Sequence, residues 1–359
     1  MKHTRILRYL FVVLIAFSFP SQSIIHAQSL EFKIDSLLQN KYPSDAPGGA
    51  FLISKNGKIL YKKAFGMANL ELNIPLNPEF VFEIGSMTKQ FTAISILMLS
   101  EKGLLNLDDE ITKFIPDYPT NGNKITIHHL LTHTSGIKNF TSLKGLNEIA
   151  YKDLSPLELI DFFKNEPVDF APGEQFKYNN SGYIILGYII EKVSDQTYAE
   201  FIEEQIFKKL DMKSSQYASH TKVIQDRASG YQKKETYLNR RNISFTIPYA
   251  SGSLMSTIGD LFKWQEALKN NVLINKETTE KAFTNYTLNN GEHINYGYGW
   301  HLKIMNDISV REHGGSIFGF KSMGVYIPDS DIYVIGLNNC DFNSPTQITR
   351  TIAEMVSKN

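Results

Sequence analysis

Hydrophobic and polar positions give the two ends of this chain a strand-like pattern. Near the N-terminus, GGAFLIS and KILYKKAFG flank KNG, and apolar β-formers around an Asn-Gly pair predict a β-hairpin. Near the C-terminus, SMGVYI and IYVIGLNN flank PDSD and predict a second hairpin. Two hairpins at opposite ends predict one antiparallel sheet that is built from both termini.

Between the hairpins, apolar residues recur at helical spacing. The segments with this pattern are FTAISILMLSEKG, ITIHHLLTH, SPLELIDFFKN, SGYIILGYIIEKVS, TYAEFIEEQIFKKL and GDLFKWQEALKN. Further helices are predicted at LEFKIDSLLQNKY and ITRTIAEMVS, where they would pack on the sheet. The predicted fold class is α+β, with a central antiparallel sheet flanked by helices. Its sheet lobe comes from roughly residues 28–85 and 290–359, and a mostly helical lobe, roughly 86–289, is inserted between them.

The first residues have the pattern of a signal peptide. A basic start, MKHTRILRY, precedes the apolar run LFVVLIAF, and a small residue, Ala27, offers a cut site. The apolar run is shorter than the roughly 20 residues that span a membrane, which favours a signal peptide over an anchor. An uncleaved anchor is the alternative. We therefore predict a signal peptide at residues 1–27 and a periplasmic or secreted domain at 28–359.

The composition of the chain limits the kinds of partner that it is expected to bind. The 359 residues contain 37 basic and 37 acidic side chains, and no clustered positive charge predicts binding to nucleic acid. Cys340 is the only cysteine, so no intrachain disulfide can form, and we expect it to be a small buried residue. No cofactor and no stable protein partner are implied.

The stretch EIGSMTKQF holds the first candidate for chemistry. Ser86 and Lys89 stand three positions apart and share a face if a helix begins there. A serine hydroxyl needs a neighbouring base, and a lysine serves as one when burial lowers its pKa. The apolar residues that follow favour such burial. The alternative is that Ser86 merely caps a helix, because S-x-x-K also occurs by chance.

Two later stretches add candidate groups. Tyr178 and Asn180 precede an apolar helix, where a phenol could relay protons and an amide could bind an acyl-amide group. His313-Gly314-Gly315 precedes an apolar strand, where His313 could supply a positive or hydrogen-bonding group. Glycine allows a ligand to approach the backbone closely. Taken alone, the first stretch is better explained by a packed loop with a helix cap, and the second by a turn that enters a strand.

A group of histidines raises the possibility of a metal site, but its pattern argues against one. His128, His129 and His133 lie close in sequence, and i, i+4 histidine pairs bind zinc on helices. No glutamate base stands between them, and HTSG has the composition of a helix end. We therefore expect no metal site.

Taken in order, S-x-x-K, Y-x-N and H-x-G resemble the motifs of the serine β-lactamase and penicillin-binding protein superfamily, on its class C side. That branch includes D-Ala-D-Ala carboxypeptidases, D-aminopeptidases and esterases. Supporting stretches are FEIGSMTKQFTA, KGLLNLDDEI, ITIHHLLTHTSGI, PGEQFKYNNSGYIILGYIIE, SGSLMSTIGDLFKW, YGYGW and HGGSIFGFKSMGVYIPD. The resemblance covers nearly the whole predicted mature chain and implies a β-lactamase/transpeptidase-like fold.

The resemblance also implies roles for individual residues. Ser86 matches the nucleophile that forms an acyl-enzyme, and Lys89 matches the lysine that takes or shares its proton. Tyr178 matches a proton relay for the leaving group and for deacylation, and Asn180 matches the residue that contacts the substrate amide. Whether lysine or tyrosine is the base for acylation stays open.

The third motif departs from the usual β-lactamase pattern. His313 stands where those enzymes have the lysine of K-T-G, and Gly315 fits the third position. The backbone N–H groups of Ser86 and Ser316 match the oxyanion hole. Histidine is charged only part of the time near neutral pH, which weakens the case for a dedicated β-lactamase.

The function that we predict from these features is that of a D-Ala-D-Ala carboxypeptidase-like enzyme. It would act on D-amino-acid or cell-wall peptides, with peptidoglycan as a candidate partner. The alternatives are an esterase on small acyl esters, a weak class C-type β-lactamase, and a non-catalytic penicillin-binding-like binder or sensor.

Overall fold

The computed structural model describes residues 22–358, with side chains from residue 30 onward. Residues 1–21 of the predicted signal peptide lie outside this range, as do the side chains at its predicted cut site, so the signal peptide stays a prediction. Within the described part of the chain, no helix is long and apolar enough to cross a bilayer.

The strands form one large sheet and three small ones. The large sheet has six strands in the order β10-β11-β12-β13-β1-β2, and every neighbouring pair in it is antiparallel. In chain order the strands are β1 (Gly49–Lys55), β2 (Lys58–Phe65), β3 (Met67–Asn69), β4 (Ile74–Pro75), β5 (Phe82–Glu83), β6 (Gln216–Tyr217), β7 (Tyr231–Lys233), β8 (Tyr237–Asn239), β9 (Leu254–Ser256), β10 (His301–Met305), β11 (Ile308–Ile317), β12 (Phe320–Ile327) and β13 (Ile332–Asn338).

The two predicted hairpins exist, and they meet in the large sheet. Asn56 and Gly57 connect β1 to β2 with φ values of 53° and 71°, the left-handed pair that a two-residue hairpin turn requires. Strand β1 also pairs with β13, from Gly49 opposite Asn338 to Lys55 opposite Ile332. The prediction of one antiparallel sheet from both chain ends is therefore confirmed.

Helices cover both faces of the large sheet. Their bounds are α1 (Gln22–Lys41), α2 (Thr88–Glu101), α3 (Ile127–Leu131), α4 (Leu146–Ile149), α5 (Pro156–Phe163), α6 (Asn180–Ser194), α7 (Tyr198–Ile202), α8 (Tyr249–Gly252), α9 (Ile258–Lys269), α10 (Lys276–Ala282) and α11 (Thr346–Ser357). Helices α1 and α11 pack on one face, where Phe51 and Ile53 contribute to the core. Ala50 and Leu52 alternate to the other face and join the larger core around α2 and α6.

This arrangement confirms the α+β fold class with a central antiparallel sheet flanked by helices. The strands of the large sheet all fall within residues 49–65 and 301–338, and all the described helices except α1 and α11 lie between these ranges. The exact limits of the two predicted lobes stay a prediction.

One strand was missed by the sequence analysis. The His313-Gly314-Gly315 stretch precedes the apolar strand β12, as predicted, but it also lies inside a strand of its own, β11. Paired glycines weaken the strand signal in a sequence, since they have no side chain to pack. Here the tertiary structure requires one of them, because a Cβ on Gly315 would stand 1.9 Å from the carbonyl oxygen of Ile84. Strand β11 thereby lies directly against the turn that carries Ser86.

Candidate active site

Ser86 lies on a short 3₁₀ turn, Gly85–Met87, immediately before α2. Gly85 has φ of 52°, a left-handed conformation that favours glycine, and this value turns the chain from β5 into the helix. The Ser86 side chain makes no capping bond to the helix backbone, so the alternative of a simple helix cap does not describe it. Its half-buried hydroxyl faces the cleft instead.

Lys89 lies one turn further along α2 and is completely buried. Its Nζ stands 3.2 Å from Ser86 Oγ, 2.8 Å from Asn180 Oδ1 and 2.9 Å from the carbonyl oxygen of Ser251. Burial without a counter-charge lowers the pKa of Lys89 well below its usual value. A neutral amine has two N–H donors for Asn180 and Ser251, and its lone pair is then free to accept the Ser86 proton.

Asn180 reaches Lys89 because it is the first residue of α6. The preceding residue, Asn179, caps this helix by accepting a hydrogen bond from the N–H of Gly182 at 3.0 Å. The backbone N–H of Asn180 donates to Asn139 Oδ1 at 3.2 Å. These bonds fix the start of α6 and hold the Asn180 amide between Lys89 and the cleft.

Tyr178 packs beside both residues of the S-x-x-K motif. Lys89 Nζ lies 4.9 Å from the centre of its ring. Its buried hydroxyl has no well-aligned hydrogen-bond partner among the described residues. Burial raises the pKa of Tyr178, and the neighbouring Ser86 hydroxyl offsets part of this rise. Tyr178 is therefore a neutral phenol close to Ser86, without a full hydrogen bond to it in this state.

Beyond Glu312, where its pairing with β10 ends, β11 has a free edge that carries a backbone N–H close to the Ser86 turn. A two-residue loop joins β11 to β12, and Ile317 and Phe320 are its closing pair. Since hydrogen-bonded and non-hydrogen-bonded pairs alternate, the N–H of Ser316 points away from β12. A Cβ on Gly85 would lie 2.8 Å from this nitrogen, so Ser316 N and the Ser86 turn are in close contact. The structure thus places the Ser316 N–H, one of the two groups of the predicted oxyanion hole, against the turn that carries Ser86.

His313 occupies the cleft wall but does not supply a positive charge there. It is 2% exposed, and burial lowers its pKa well below the usual value. Its Nδ1 lies 2.6 Å from the carbonyl oxygen of Gly314, so this nitrogen carries the proton and donates. Its Nε2 accepts from the Tyr296 hydroxyl at 3.1 Å. Both nitrogens of the neutral His313 ring are thus engaged, and the ring packs beside Tyr178, with 6.0 Å between the ring centres.

The histidines that suggested a metal site serve other contacts. His128 Nδ1 pairs with the Tyr298 hydroxyl at 2.7 Å, and His129 closes the capping box of α3 with Thr126. His133 Nδ1 accepts from the N–H of Asn179 at 3.1 Å. In residues 22–358, no three His, Cys, Asp or Glu side chains are placed to hold a metal ion.

Sequence reasoning did not assign roles to several residues of this cluster. His133, Tyr183 and Tyr296 surround Tyr178, and the His133 ring lies 4.4 Å from it, centre to centre. Ser251 supplies a carbonyl acceptor for Lys89. No local pattern could reveal these contacts, because Ser251 lies 162 positions from Lys89 and acts through its backbone.

Two cavities meet at Ser86. The larger, about 530 Å³, is bordered by Asn180 and by apolar side chains, which are Phe140, Leu146, Ile243, Ile247, Pro248, Ile317 and Phe318. The smaller, about 420 Å³, is bordered by Tyr178, His313 and the free edge of β11. A substrate carbonyl at Ser86 therefore has an apolar space on one side and the phenol of Tyr178 on the other.

The sequence of this chain is similar to those of known proteins. The Beta-lactamase family model matches residues 34–355. Penicillin-binding protein 4* of Bacillus subtilis strain 168 is 33% identical over 307 residues, which are 81% of this chain and 68% of that protein. The chain spans 62% to 68% of the length of the curated relatives it matches first.

Solved structures of other proteins have a similar fold. An octameric penicillin-binding protein homologue from Pyrococcus abyssi is 30% identical, with a TM-score of 0.77 over 94% of this chain and 78% of that one. D-amino acid amidase from Ochrobactrum anthropi, 23% identical, shares the fold, with a TM-score of 0.78 over 92% of this chain and 98% of that one. The family match, the relatives and the serine-lysine geometry lead to one conclusion: the chain belongs to the beta-lactamase family of serine hydrolases.

Proposed function

We propose that this serine hydrolase is exported and cleaves D-amino-acid peptides as a D-Ala-D-Ala carboxypeptidase does, through an acyl-enzyme on Ser86. The observation that carries the proposal is the buried Lys89 amine, 3.2 Å from Ser86 Oγ and without a carboxylate partner in the described chain. The names of similar proteins, a penicillin-binding protein and a D-amino acid amidase, support this substrate class. Export rests on the sequence of residues 1–27.

In the proposed reaction, Ser86 Oγ attacks the carbonyl carbon while its proton passes to Lys89 or, through Tyr178, to the leaving group. The N–H groups of Ser86 and Ser316 stabilise the oxyanion. When the C–N bond breaks, the leaving amine takes the Tyr178 hydroxyl proton, and the proton that left Ser86 restores this hydroxyl, directly or by way of Lys89. Water then attacks the acyl ester: one of its protons passes through the same groups to Ser86 Oγ as the ester C–O bond breaks, and the carboxylic acid product leaves.

An esterase acting on small acyl esters is the second candidate. The apolar border of the larger cavity favours it, because such a space holds an alkyl or aryl acyl group without further polar contacts. The same nucleophile and oxyanion hole would serve both reactions. The two candidates therefore differ in substrate preference and not in mechanism.

Covalent labelling tests the nucleophile. Purified protein is incubated with benzylpenicillin, and its intact mass is measured. We expect one adduct on the native protein, none on Ser86→Ala, and an unchanged adduct on Ser142→Ala, which removes an exposed serine outside both cavities. An adduct that persists in Ser86→Ala would overturn the assignment of Ser86.

Substrate comparison then separates the candidates. The rates on an acyl-D-Ala-D-Ala peptide, a series of nitrophenyl esters and a chromogenic cephalosporin are measured as kcat/KM. A preference for the peptide supports the carboxypeptidase, and a preference for the esters supports the second candidate. Binding of cell wall without an adduct or turnover would contradict both.

A further inference from the structure

The basic groups that border the two cavities differ in how their charges are satisfied. Lys303 and Arg350 border the smaller cavity, and both pair with the buried carboxylate of Glu312. Lys303 Nζ lies 2.8 Å from Glu312 Oε1, and Arg350 Nε donates to Oε2 at 2.8 Å. These two cations share one counter-ion, so neither is an open site for an anionic substrate group.

The two histidines of the same cavity are neutral. Burial lowers the pKa of His301 to about 4, and burial also lowers the pKa of His313 well below its usual value. Both ring nitrogens of His313 are also hydrogen-bonded, one to the carbonyl oxygen of Gly314 and the other to the Tyr296 hydroxyl. The histidine that the sequence analysis considered as a positive group is therefore uncharged here.

Lys321 is different. It is half-buried, it borders both cavities, and none of its side-chain atoms takes part in an ion pair or hydrogen bond within residues 22–358. In the sheet register Lys321 stands directly opposite Ser316. Residues that face each other in an antiparallel pair project to the same side of the sheet. The Lys321 side chain is thus on the same face of the sheet as the Ser316 side chain, and it reaches both cavities that meet at Ser86.

One acid shares the larger cavity with Lys321. Asp341 borders it, but its Oδ2 accepts from Gln232 Nε2 at 2.8 Å, and it forms no ion pair with Lys321. A half-buried ammonium without a counter-ion has given up part of its hydration and attracts an anion that enters the cleft. A carboxylate fits this place, because charge-assisted hydrogen bonds to an ammonium are short and strong.

We propose that Lys321 binds a carboxylate group of the substrate beside the oxyanion hole. The inference rests on the proposed function and assigns the specificity of the same site to a residue outside its three motifs. The carboxylate has two sources, the acyl part of the substrate in the larger cavity or the leaving group in the smaller one. Lys321 borders both cavities, so the experiment must distinguish them.

Two pairs of substrates, each with a charged and a neutral member, test whether Lys321 binds a carboxylate. For the acyl part, nitrophenyl hemisuccinate is compared with nitrophenyl butyrate; for the leaving group, a D-Ala-D-Ala peptide is compared with its C-terminal amide. The measured quantity is the ratio of kcat/KM, charged over neutral, within each pair. In Lys321→Met we expect this ratio to fall about tenfold or more in one pair, the size of a lost charged hydrogen bond. Lys321→Arg should keep most of the native ratio.

Lys303→Met is the matched control, because it removes a cation that already shares Glu312 with Arg350. Its ratios should stay within about twofold of the native ones. A fall in the ester pair assigns the carboxylate to the acyl part, and a fall in the peptide pair assigns it to the leaving group. Unchanged ratios in Lys321→Met overturn the proposal, while its residual activity on neutral esters proves that the variant is folded.

Acylation by penicillin keeps the two proposals distinguishable. Benzylpenicillin carries a carboxylate that its methyl ester lacks, and both rates of adduct formation are read by intact mass without turnover. If Lys321→Met slows the acid more than the ester, the inference stands even for a slow enzyme. If neither compound nor any substrate reacts with the native protein, the proposed function fails, and this inference fails with it.

Discussion

The amine of Lys89 combines two properties that a surface lysine lacks. It is completely buried, and its partners are a hydroxyl, an amide oxygen and a carbonyl oxygen, with no carboxylate among them. Hydrogen bonds to uncharged acceptors offset only part of the free energy that an ammonium group loses on desolvation, so the neutral amine is favoured. The same burial that makes Lys89 a base should therefore be measurable as a dependence of stability on pH.

Lys89→Met tests this coupling. The pKa of Lys89 is lowered in the folded protein, whereas in the unfolded chain it lies near 10.5. Between these two values the unfolded chain binds a proton that the folded protein does not, so native stability rises with pH. Relative to Lys89→Met, it should gain up to about 1.4 kcal/mol per pH unit in this window. Urea denaturation at pH 7, 8 and 9 measures the difference, with Lys102→Met, an exposed lysine variant, as the reference.

Parallel stability curves for the native protein and Lys89→Met would contradict a lowered pKa. The activity of the native protein should follow the same group: kcat/KM should fall as the pH drops through the pKa of Lys89, because the protonated amine cannot accept the Ser86 proton.

Tyr178→Phe should change activity and stability in opposite directions. The buried hydroxyl has no aligned partner among the described groups, so its removal should raise the free energy of unfolding by up to about 1 kcal/mol. The loss of a proton relay should lower kcat about 100-fold or more. Tyr183→Phe is the matched control, because its hydroxyl donates to Leu131 O at 3.1 Å and its loss should destabilise. Retention of kcat within a few-fold in Tyr178→Phe would remove Tyr178 from the mechanism.

Among the secondary-structure elements, α2 and β11 build the site together. Helix α2 is buried from Thr88 to Leu99, so its first turn cannot shift without disturbing the larger core. Strand β11 is held against the Ser86 turn by Ser322 on β12, whose hydroxyl donates to Ile84 O at 2.8 Å. The distance between nucleophile and oxyanion donor is therefore set by the packing of a strand edge on a helix start.

The substitution Gly315→Ala should move β11 away from the start of α2. Its Cβ would lie 1.9 Å from Ile84 O and 2.5 Å from Ser322 Oγ, so β11 must move away from the Ser86 turn. Loss of one oxyanion donor typically lowers kcat about 100-fold or more, and we expect at least this loss on a neutral nitrophenyl ester. Gly314→Ala is the control, since its Cβ would meet Ser322 O at 3.1 Å and requires only a small adjustment. Equal activity of the two variants would contradict the proposed role of the close approach.

At the level of the whole molecule, Asn339 connects segments that are distant in the chain. Its Oδ1 accepts from the N–H of Gly48 at 2.7 Å, and its Nδ2 donates to Met67 O at 3.0 Å and to Ser229 O at 2.8 Å. The side chain is completely buried. It thus joins the residue before β1 to the start of β3 and to the segment that precedes β7.

Asn339→Ala should destabilise the whole fold by about 2–4 kcal/mol, because it leaves several buried backbone groups without partners. Asn343→Ala removes a more exposed bond to Lys41 O and should cost less than about 1 kcal/mol. Denaturant unfolding measures both, and the KM of folded Asn339→Ala should stay close to the native value. Equal stability of the two variants would contradict this role for Asn339.

Local sequence determined much of the fold. The Asn56-Gly57 turn and its flanking β-formers predicted the first hairpin, because positive φ at both turn positions is a property of those residues. The spacing of apolar residues likewise predicted α2, α6 and α9. It could not predict the strand character of β11 around Gly314 and Gly315, where pairing with β12 outweighs the weak local propensity.

The order of the motifs determined the family, and the i, i+3 spacing put Ser86 and Lys89 on one helical face. Only the tertiary structure decided the chemical state of the site. Lys89 bonds to groups 91 and 162 positions away, and burial in the folded core keeps His313 neutral. Lys321 has no counter-ion among the described residues for the same reason: charge and protonation depend on which groups meet in space, and no local pattern encodes that meeting.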